Sequence, residues 1–267
     1  MMSKITTTIF AIAAFVIGAS SLTICALTGP AAAAGRAWEI MPYAWFTGIE
    51  GTMTIKGELQ GIDASLAEVW DNSNAGGSFR CETWKGGNGF CLDLFHVNLT
   101  GEFGDDVNRY IPASNIFFVD VAYNHHLGST PVYSHQKVKD TRETRYLSVG
   151  VLAGLRYFHL KNTLEQSDDE NLEQTGQFID PIVGGYVHYR MARALTIAAS
   201  ADIGGFGMGS NFTWNAWVRV DVRLADWCWL NAMGRAFDID YEDGSGEDRL
   251  GLNARIAGPA LGAIFRF

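Results

Sequence analysis

The sequence predicts an all-β protein, an antiparallel transmembrane up-and-down β-barrel of about ten strands, with eight or twelve as alternatives. Three observations lead there. Successive segments alternate apolar and polar residues with the strand period of two. The polar faces of these segments carry charges of both signs. Beyond the N-terminal leader no apolar run reaches the roughly 20 residues that a membrane helix needs, so any span must be built from strands.

The leader comes first in the chain. Lys4 supplies a positive start, Ile9 to Ile24 is an apolar stretch, and Pro30 precedes Ala31-Ala32-Ala33-Ala34, small residues suited to signal peptidase. The expectation is a cleaved secretory signal over 1–34, which removes Cys25, and a barrel domain over 35–267. With 267 residues, 18% charged, 12% aromatic and only 6 Pro, the chain suits one domain and is too polar for a helical membrane protein. A net charge of -9 argues against a nucleic-acid partner, whose phosphates would be repelled.

The clearest strand is Thr213 to Leu224. Its even positions, Trp214, Ala216, Val218, Val220, Val222 and Leu224, are apolar, and its odd positions include Asn215, Arg219, Asp221 and Arg223. The same separation recurs over Ala194–Ile203, Ile179–Arg190 and Leu147–Phe158. The full set of expected strands is Trp38–Gly48, Gly77–Trp84, Gly89–Thr100, Asn115–His126, Tyr146–His159, Gln177–Arg190, Ala194–Ile203, Thr213–Leu224, Trp227–Phe237 and Leu250–Phe267. Short links such as Lys85-Gly86-Gly87-Asn88, Met191-Ala192-Arg193 and Ala225-Asp226 read as turns at one end, and the acidic or glycine-rich segments as loops at the other. Leu127 to Arg145 is too long for a turn, so either the next strand starts earlier or two further strands hide there.

Charges of both signs on one face argue that this face is the interior of the barrel. Arg156, Asp180, Arg190, Asp202, Arg219, Asp221, Arg223, Arg235 and Arg255 form the expected lumen network, with Asp120 as a further acid. The inward positions also include Tyr43, Trp45, Tyr186, Trp217 and Trp229, a filling that argues against a wide pore. The last strand holds a conflict of phase. Leu250, Leu252, Ala254 and Ile256 alternate on the even count, whereas Phe265 and Phe267 alternate on the odd count. Placing both sets toward lipid requires a bulge at Gly258-Pro259, where Pro cannot donate to the ladder and Gly tolerates the bend.

The ending Gly262-Ala263-Ile264-Phe265-Arg266-Phe267 resembles the assembly signal of bacterial outer-membrane β-barrels, carried by Gly262, Phe265 and Phe267. Asp180-Pro181-Ile182-Val183-Gly184-Gly185, Asp202-Ile203-Gly204-Gly205-Phe206-Gly207 and Gly258-Pro259-Ala260-Leu261-Gly262 resemble the recurring blocks of a small outer-membrane barrel family of Gram-negative bacteria. That resemblance covers most of the chain from Trp38 and Pro42-Tyr43-Ala44-Trp45 to Phe267. It implies the cell outer membrane as location, membrane lipid and lipopolysaccharide as surroundings, and the barrel assembly machinery as a partner. It brings no catalytic residues and implies no cofactor.

Other motifs have ordinary readings. Gly204-Gly205-Phe206-Gly207-Met208-Gly209 is followed by a strand rather than a helix, so it is an outside loop and not a phosphate cradle. Cys81 and Cys91 flank the turn at Gly86 and could face each other as a disulfide; the competing reading is a set of free thiols, with Cys228 left over. His125 and His126, adjacent on a strand, point to opposite faces and do not share a metal. Glu165, Asp168, Asp169, Glu170 and Glu173 make one acidic loop, and Asp240, Glu242, Asp243, Glu247 and Asp248 another. Such oxygen clusters can hold divalent cations, but the spacing matches no EF-hand, and no metal site is assigned. An enzyme acting on lipid or peptide at the outer rim is the rival class. It would draw on Ser210 with His159 and Asp202, or on Asp105 and Asp106 with Asp238 and Asp240. The leading expectation is a non-enzymatic barrel with a structural or limited passive permeation role for small solutes.

Overall fold

The structure, a computed structural model, describes residues 37–55, 58–99, 112–132, 145–164, 172–246 and 249–267. The expected signal segment 1–34, the Asp105-Asp106 pair, the acidic residues 165–170, and Glu247 and Asp248 lie outside the described residues. The elements are β1 (Ala37–Trp45), β2 (Gly48–Ile55), β3 (Glu58–Ala64), α1 (Leu66–Asp71), β4 (Ser73–Lys85), β5 (Asn88–Leu99) and β6 (Pro112–Val132). They continue with β7 (Arg145–Leu164), β8 (Leu172–Ala192), β9 (Leu195–Gly205), β10 (Phe212–Arg223), β11 (Cys228–Asp243) and β12 (Leu250–Arg266).

β4 through β12 pair antiparallel in sequence order, and β1 lies between β4 and β12, closing an antiparallel barrel of ten strands. The seam is tied by reciprocal 3.0 Å backbone bonds between Trp38 and Phe267. Around the closed ring no strand of the ten is left as a sheet edge along its paired span, and among the described residues β3 alone pairs on one side only, with β2. At the end that carries these terminal residues the described links, between β4 and β5, β8 and β9, and β10 and β11, are short. β4 and β5 join through Gly86-Gly87, where Gly86 takes φ +62°, a left-handed conformation suited to a two-residue hairpin turn. We call this the turn end and the opposite one the loop end.

The segment read as an outside loop before Gly77 contains structure of its own. β2 continues the line of β1 after a break at Phe46-Thr47, so β12 pairs with β1 along its turn-end half and with β2 along its loop-end half. β3 folds back on β2, and α1 leads down into β4. Ser65 caps α1 by accepting from the Glu68 amide at 3.3 Å, while Glu68 accepts from the Ser65 amide at 2.7 Å. These bonds from Ser65 hold the Glu68 carboxyl below the ordinary glutamate range. Val69 is the buried residue of α1, and Trp70 packs on Phe46 with ring centroids 4.9 Å apart.

At Leu127–Arg145 the described residues lengthen the neighbouring strands, with β6 running on to Val132 and β7 beginning at Arg145, while 133–144 lie outside the described residues. The extended pairing absorbs a register shift between His126 and Gly128. The phase conflict in β12 resolves differently from expectation. The β11–β12 register is continuous from Asp243↔Leu250 to Cys228↔Phe265, so Gly258-Pro259 makes no bulge. Directly opposed residues share a face, and Phe237, Ile239 and Tyr241, which oppose Ile256, Ala254 and Leu252, are buried. Leu252, Ala254 and Ile256 therefore face inward, and Phe265 lies on the outward count.

Candidate functional site

The lumen is the candidate site, because strand alternation delivers most of the buried charge there. Arg156 on β7 is fully buried and bonds both oxygens of Asp120, at 2.7 and 2.8 Å, from its Nε and one terminal nitrogen. The same terminal nitrogen reaches Asp202 at 2.9 Å, and the guanidinium lies over the Phe237 ring at 4.7 Å. Asn215 donates to Asp202 at 2.8 Å and accepts from Arg235 at 2.9 Å. Arg235 then meets the Tyr43 hydroxyl at 2.6 Å and Asp93 at 3.2 Å, with its guanidinium within about 5 Å of the Trp45 and Phe118 rings. Tyr43 donates to Asp93 at 2.8 Å, and Arg80 bridges Asp93 at 3.0 Å to Glu82 at 2.7 Å. Each guanidinium is thus divided between acceptors on different strands. Such pairing is what allows charge to stay in a confined interior.

A second cluster lies nearer the turn end. Arg219 pairs with Glu39 at 3.1 Å, and Glu39 with Arg266 at 2.8 Å across the seam. The Arg219 Nε is 3.3 Å from Asp221 Oδ2, a charge contact without hydrogen-bond alignment, since neither atom has a hydrogen-bond partner. Asn231 satisfies the other Asp221 oxygen at 2.8 Å. Between the two clusters a cavity of about 10 Å³ is lined by Arg80, Glu82, Asn124, Tyr186, His188 and Ser200 among others. That is room for about one water molecule.

Of the residues expected in the lumen network, Arg156, Asp180, Asp202, Arg219, Asp221 and Arg235 are buried inside. Asp180 serves a purpose the sequence did not disclose. It accepts from the Ser210 amide at 2.7 Å, the Ser210 hydroxyl at 2.6 Å and the Thr213 hydroxyl at 3.2 Å, tying the β9–β10 connection onto β8. Arg255 is a correction. As an odd residue of β12 it faces outward at the loop end, bonded to Asp238 at 3.1 Å, 3.6 Å from Glu50, and over the Trp214 ring. Arg190 and Arg223 hold inward register positions at the turn end, but Arg190 is exposed, and Arg223 bonds Asp226 and the Ala225 carbonyl instead of joining either cluster.

The disulfide is also corrected. The hairpin register pairs Cys91 with Glu82 and Cys81 with Leu92, one step out, so the thiols occupy opposite faces and all the described cysteines are free. The rival catalytic constellation is not assembled. Ser210 is bonded to Asp180, Asp202 is held by Arg156 and Asn215, and His159 sits on the opposite face of β7 from buried Phe158 and Leu160. Asp238 and Asp240 point outward, toward Arg255 and Asn211 respectively. Sequence reasoning missed Glu39, Arg80, Glu82 and Asp93 as interior charges. Arg80 and Glu82 stand two apart on a strand and share a face, a signal present in the sequence.

No family model matches the chain, and a search of curated proteins finds no match. Among solved structures, a major outer membrane protein from Thermus thermophilus aligns over 87% of this chain and 99% of that one, at 10% identity and a TM-score of 0.40. Neisserial surface protein A aligns over 87% and 97%, at 9% identity and a TM-score of 0.34. Ail, the attachment invasion locus protein of Yersinia pestis, aligns over 87% and 99%, at 10% identity and a TM-score of 0.33. At these scores the likeness carries no functional weight, and the closed ring is established by the chain's own strand pairing.

Proposed function

We propose that this chain is an integral outer-membrane β-barrel, with its loop end outside the cell, whose own side chains close the lumen. Its role is structural, with passive passage limited to the smallest solutes. The observation that carries the reading is the ionic layer from Arg156 through Asn215 and Arg235 to Arg80, which crosses the interior and is backed by buried Phe118, Phe158 and Phe237. A membrane setting is supported by the outward residues of the turn-end half. Leu155, Val218, Leu230 and Leu261 are large, apolar and at least half exposed, more apolar surface than a water-facing barrel carries. Aromatic pairs flank that band, Trp227 with Phe265 and Phe90 with Tyr123 toward the turn end, and Phe117 with Tyr157 toward the loop end.

Planar-bilayer recording of the purified protein tests the closed lumen. Wild type should conduct near the baseline, and Arg156→Ala should raise conductance by removing the hub of the ionic layer. A steady, large wild-type conductance would overturn the reading. The same preparation assayed for release of fatty acid or peptide fragments tests the enzymatic alternative, and turnover abolished by Ser210→Ala would replace our reading with it. Deleting Phe267 should lower the yield of assembled barrel, through the terminal signal it resembles and through loss of its bonds to Trp38.

A further inference from the structure

The β9–β10 hairpin is shorter than the strands on either side of it. β9 ends at Gly205, yet β8 runs on toward Leu172 with no β9 partner beyond Ile182, and β11 runs on past Asp240, the last residue opposed by β10. The wall therefore has a notch at the loop end. Asp180 draws the hairpin tip onto β8 through Ser210, and Gly209 is packed so closely that a Cβ there would lie 2.4 Å from the Ile179 carbonyl oxygen. The tip forms the floor of a cleft of about 580 Å³, within the range of small-molecule sites.

The cleft has two chemistries. Its apolar wall is Ile179, Met208 and the stacked pair Phe178 and Tyr241, whose centroids are 4.8 Å apart. Tyr157 and Gln177, bonded to each other at 3.3 Å, form its outward lip at the loop-end edge of the apolar band. Glu242 and Asp243 make the opposite wall. Glu242 is matched by Arg249 at 2.9 Å, whereas Asp243, among the described residues, is bonded only by neutral donors, the Gly244 amide at 2.9 Å and the Tyr241 hydroxyl at 3.5 Å. We propose that this notch binds a small cationic amphiphile, with the chain against Phe178, Ile179, Tyr241 and Met208 and the positive head at Asp243. The inference relies on the membrane reading only for the side from which the ligand arrives. An amphiphile at the boundary between lipid and water already has the orientation that the cleft demands.

The test uses the full barrel in phosphatidylcholine nanodiscs and radiolabelled dodecyltrimethylammonium, dodecanol and dodecyl sulfate, with empty discs subtracted. The ammonium should bind saturably, and dodecyl sulfate at least about tenfold more weakly, the scale of one well-placed charge. Asp243→Asn should weaken the ammonium about tenfold and leave dodecanol unchanged. Ile179→Trp, at an exposed position where folding is not at stake, should reduce binding of all three by filling the cleft. Equal binding of the three chains, or binding indifferent to both variants, would overturn the site. Insertion is scored separately by protease protection in vesicles. A barrel that inserts but fails these criteria refutes the site alone, whereas one that meets them in neutral dodecyl maltoside micelles yet does not insert refutes the membrane reading alone.

Discussion

The two halves of the barrel follow the same strand geometry with opposite chemistry. In the turn-end half, β10 and β11 put Val218, Val220 and Leu230 outside and Arg219, Asp221 and Asn231 inside. In the loop-end half, β11 and β12 put Asp238, Asn253 and Arg255 outside and Phe237, Ile239 and Ile256 inside. β2 joins the second pattern, with Ile49 and Met53 buried opposite Ile256 and Leu252. Neither half breaks the period of two. On the membrane reading proposed above, what changes is the solvent outside: lipid in one half would reward apolar outward residues, and water in the other would restore the polar-out arrangement of soluble sheets. Alternation reveals that a strand has two unlike faces, and only the surroundings decide which is the interior.

The largest expected effect lies where the halves meet. Arg156→Met leaves Asp120 and Asp202 facing each other without their shared cation and should cost about 3–5 kcal/mol in urea unfolding from vesicles. Adding Asp120→Asn should return part of that loss. A small effect of the single variant would mean that water already screens this layer, and the closed lumen would fall with it.

The contrast between the halves is tested by one substitution made twice. Val220→Arg, outward in the turn-end half, should cost roughly 2–4 kcal/mol, while Thr175→Arg, outward in the loop-end half, should stay within about 0.5 kcal/mol. Equal costs measured by the same unfolding assay would erase the boundary between them. A gentler version uses methylene deletion. Ile239→Val, fully buried inside the loop end, should cost about 0.5–1.5 kcal/mol. Ile197→Val on the outward face of β9 should change stability by a few tenths of that, since lipid fills the space left behind.

The sequence made the ladder legible because charged residues such as Arg219 and Asp221 sit among valines in perfect alternation. Its error in β12 came from assuming one sign for the whole strand: Leu252 and Ile256 look as outward as Leu261 does, and only the register with β11 separates them. The hairpin and helix before β4 were hidden by glycines, although Ile49 and Met53 alternate with Glu50 and Thr52, and Ser65 with Glu68 spells a capping box. The contact of Tyr43, Asp93 and Arg235 was not legible at all. It depends on which strands face one another across a closed ring, and spacing along the chain carries no record of that.

A comparably small effect concerns that capped helix, which lies at the loop end. Ser65→Ala should destabilise α1 locally by about 0.5 kcal/mol, the low end for an exposed N-cap, read as faster amide exchange at Val69 and Trp70. Because the Glu68 carboxyl is held below its ordinary range, its contribution is fully present above the usual glutamate pKa and fades as pH falls through the lower folded value. Protection of α1 should decline on acidification in wild type and lose that dependence in Glu68→Gln. An unchanged acid profile in the variant would mean that the capping box does not set the acid response of α1.

The seam between β1 and β12 sets an order on how the molecule can come into being. Glu39 and Arg266, which latch it, stand 227 positions apart, so the ring cannot shut until nearly the whole described chain is present. Hairpins such as β4–β5 can form early from neighbours in sequence, but they expose unpaired edges for as long as closure is pending. A chain built this way must be sheltered between its synthesis and its last pairing, and the slow step of its life is the meeting of its two farthest strands.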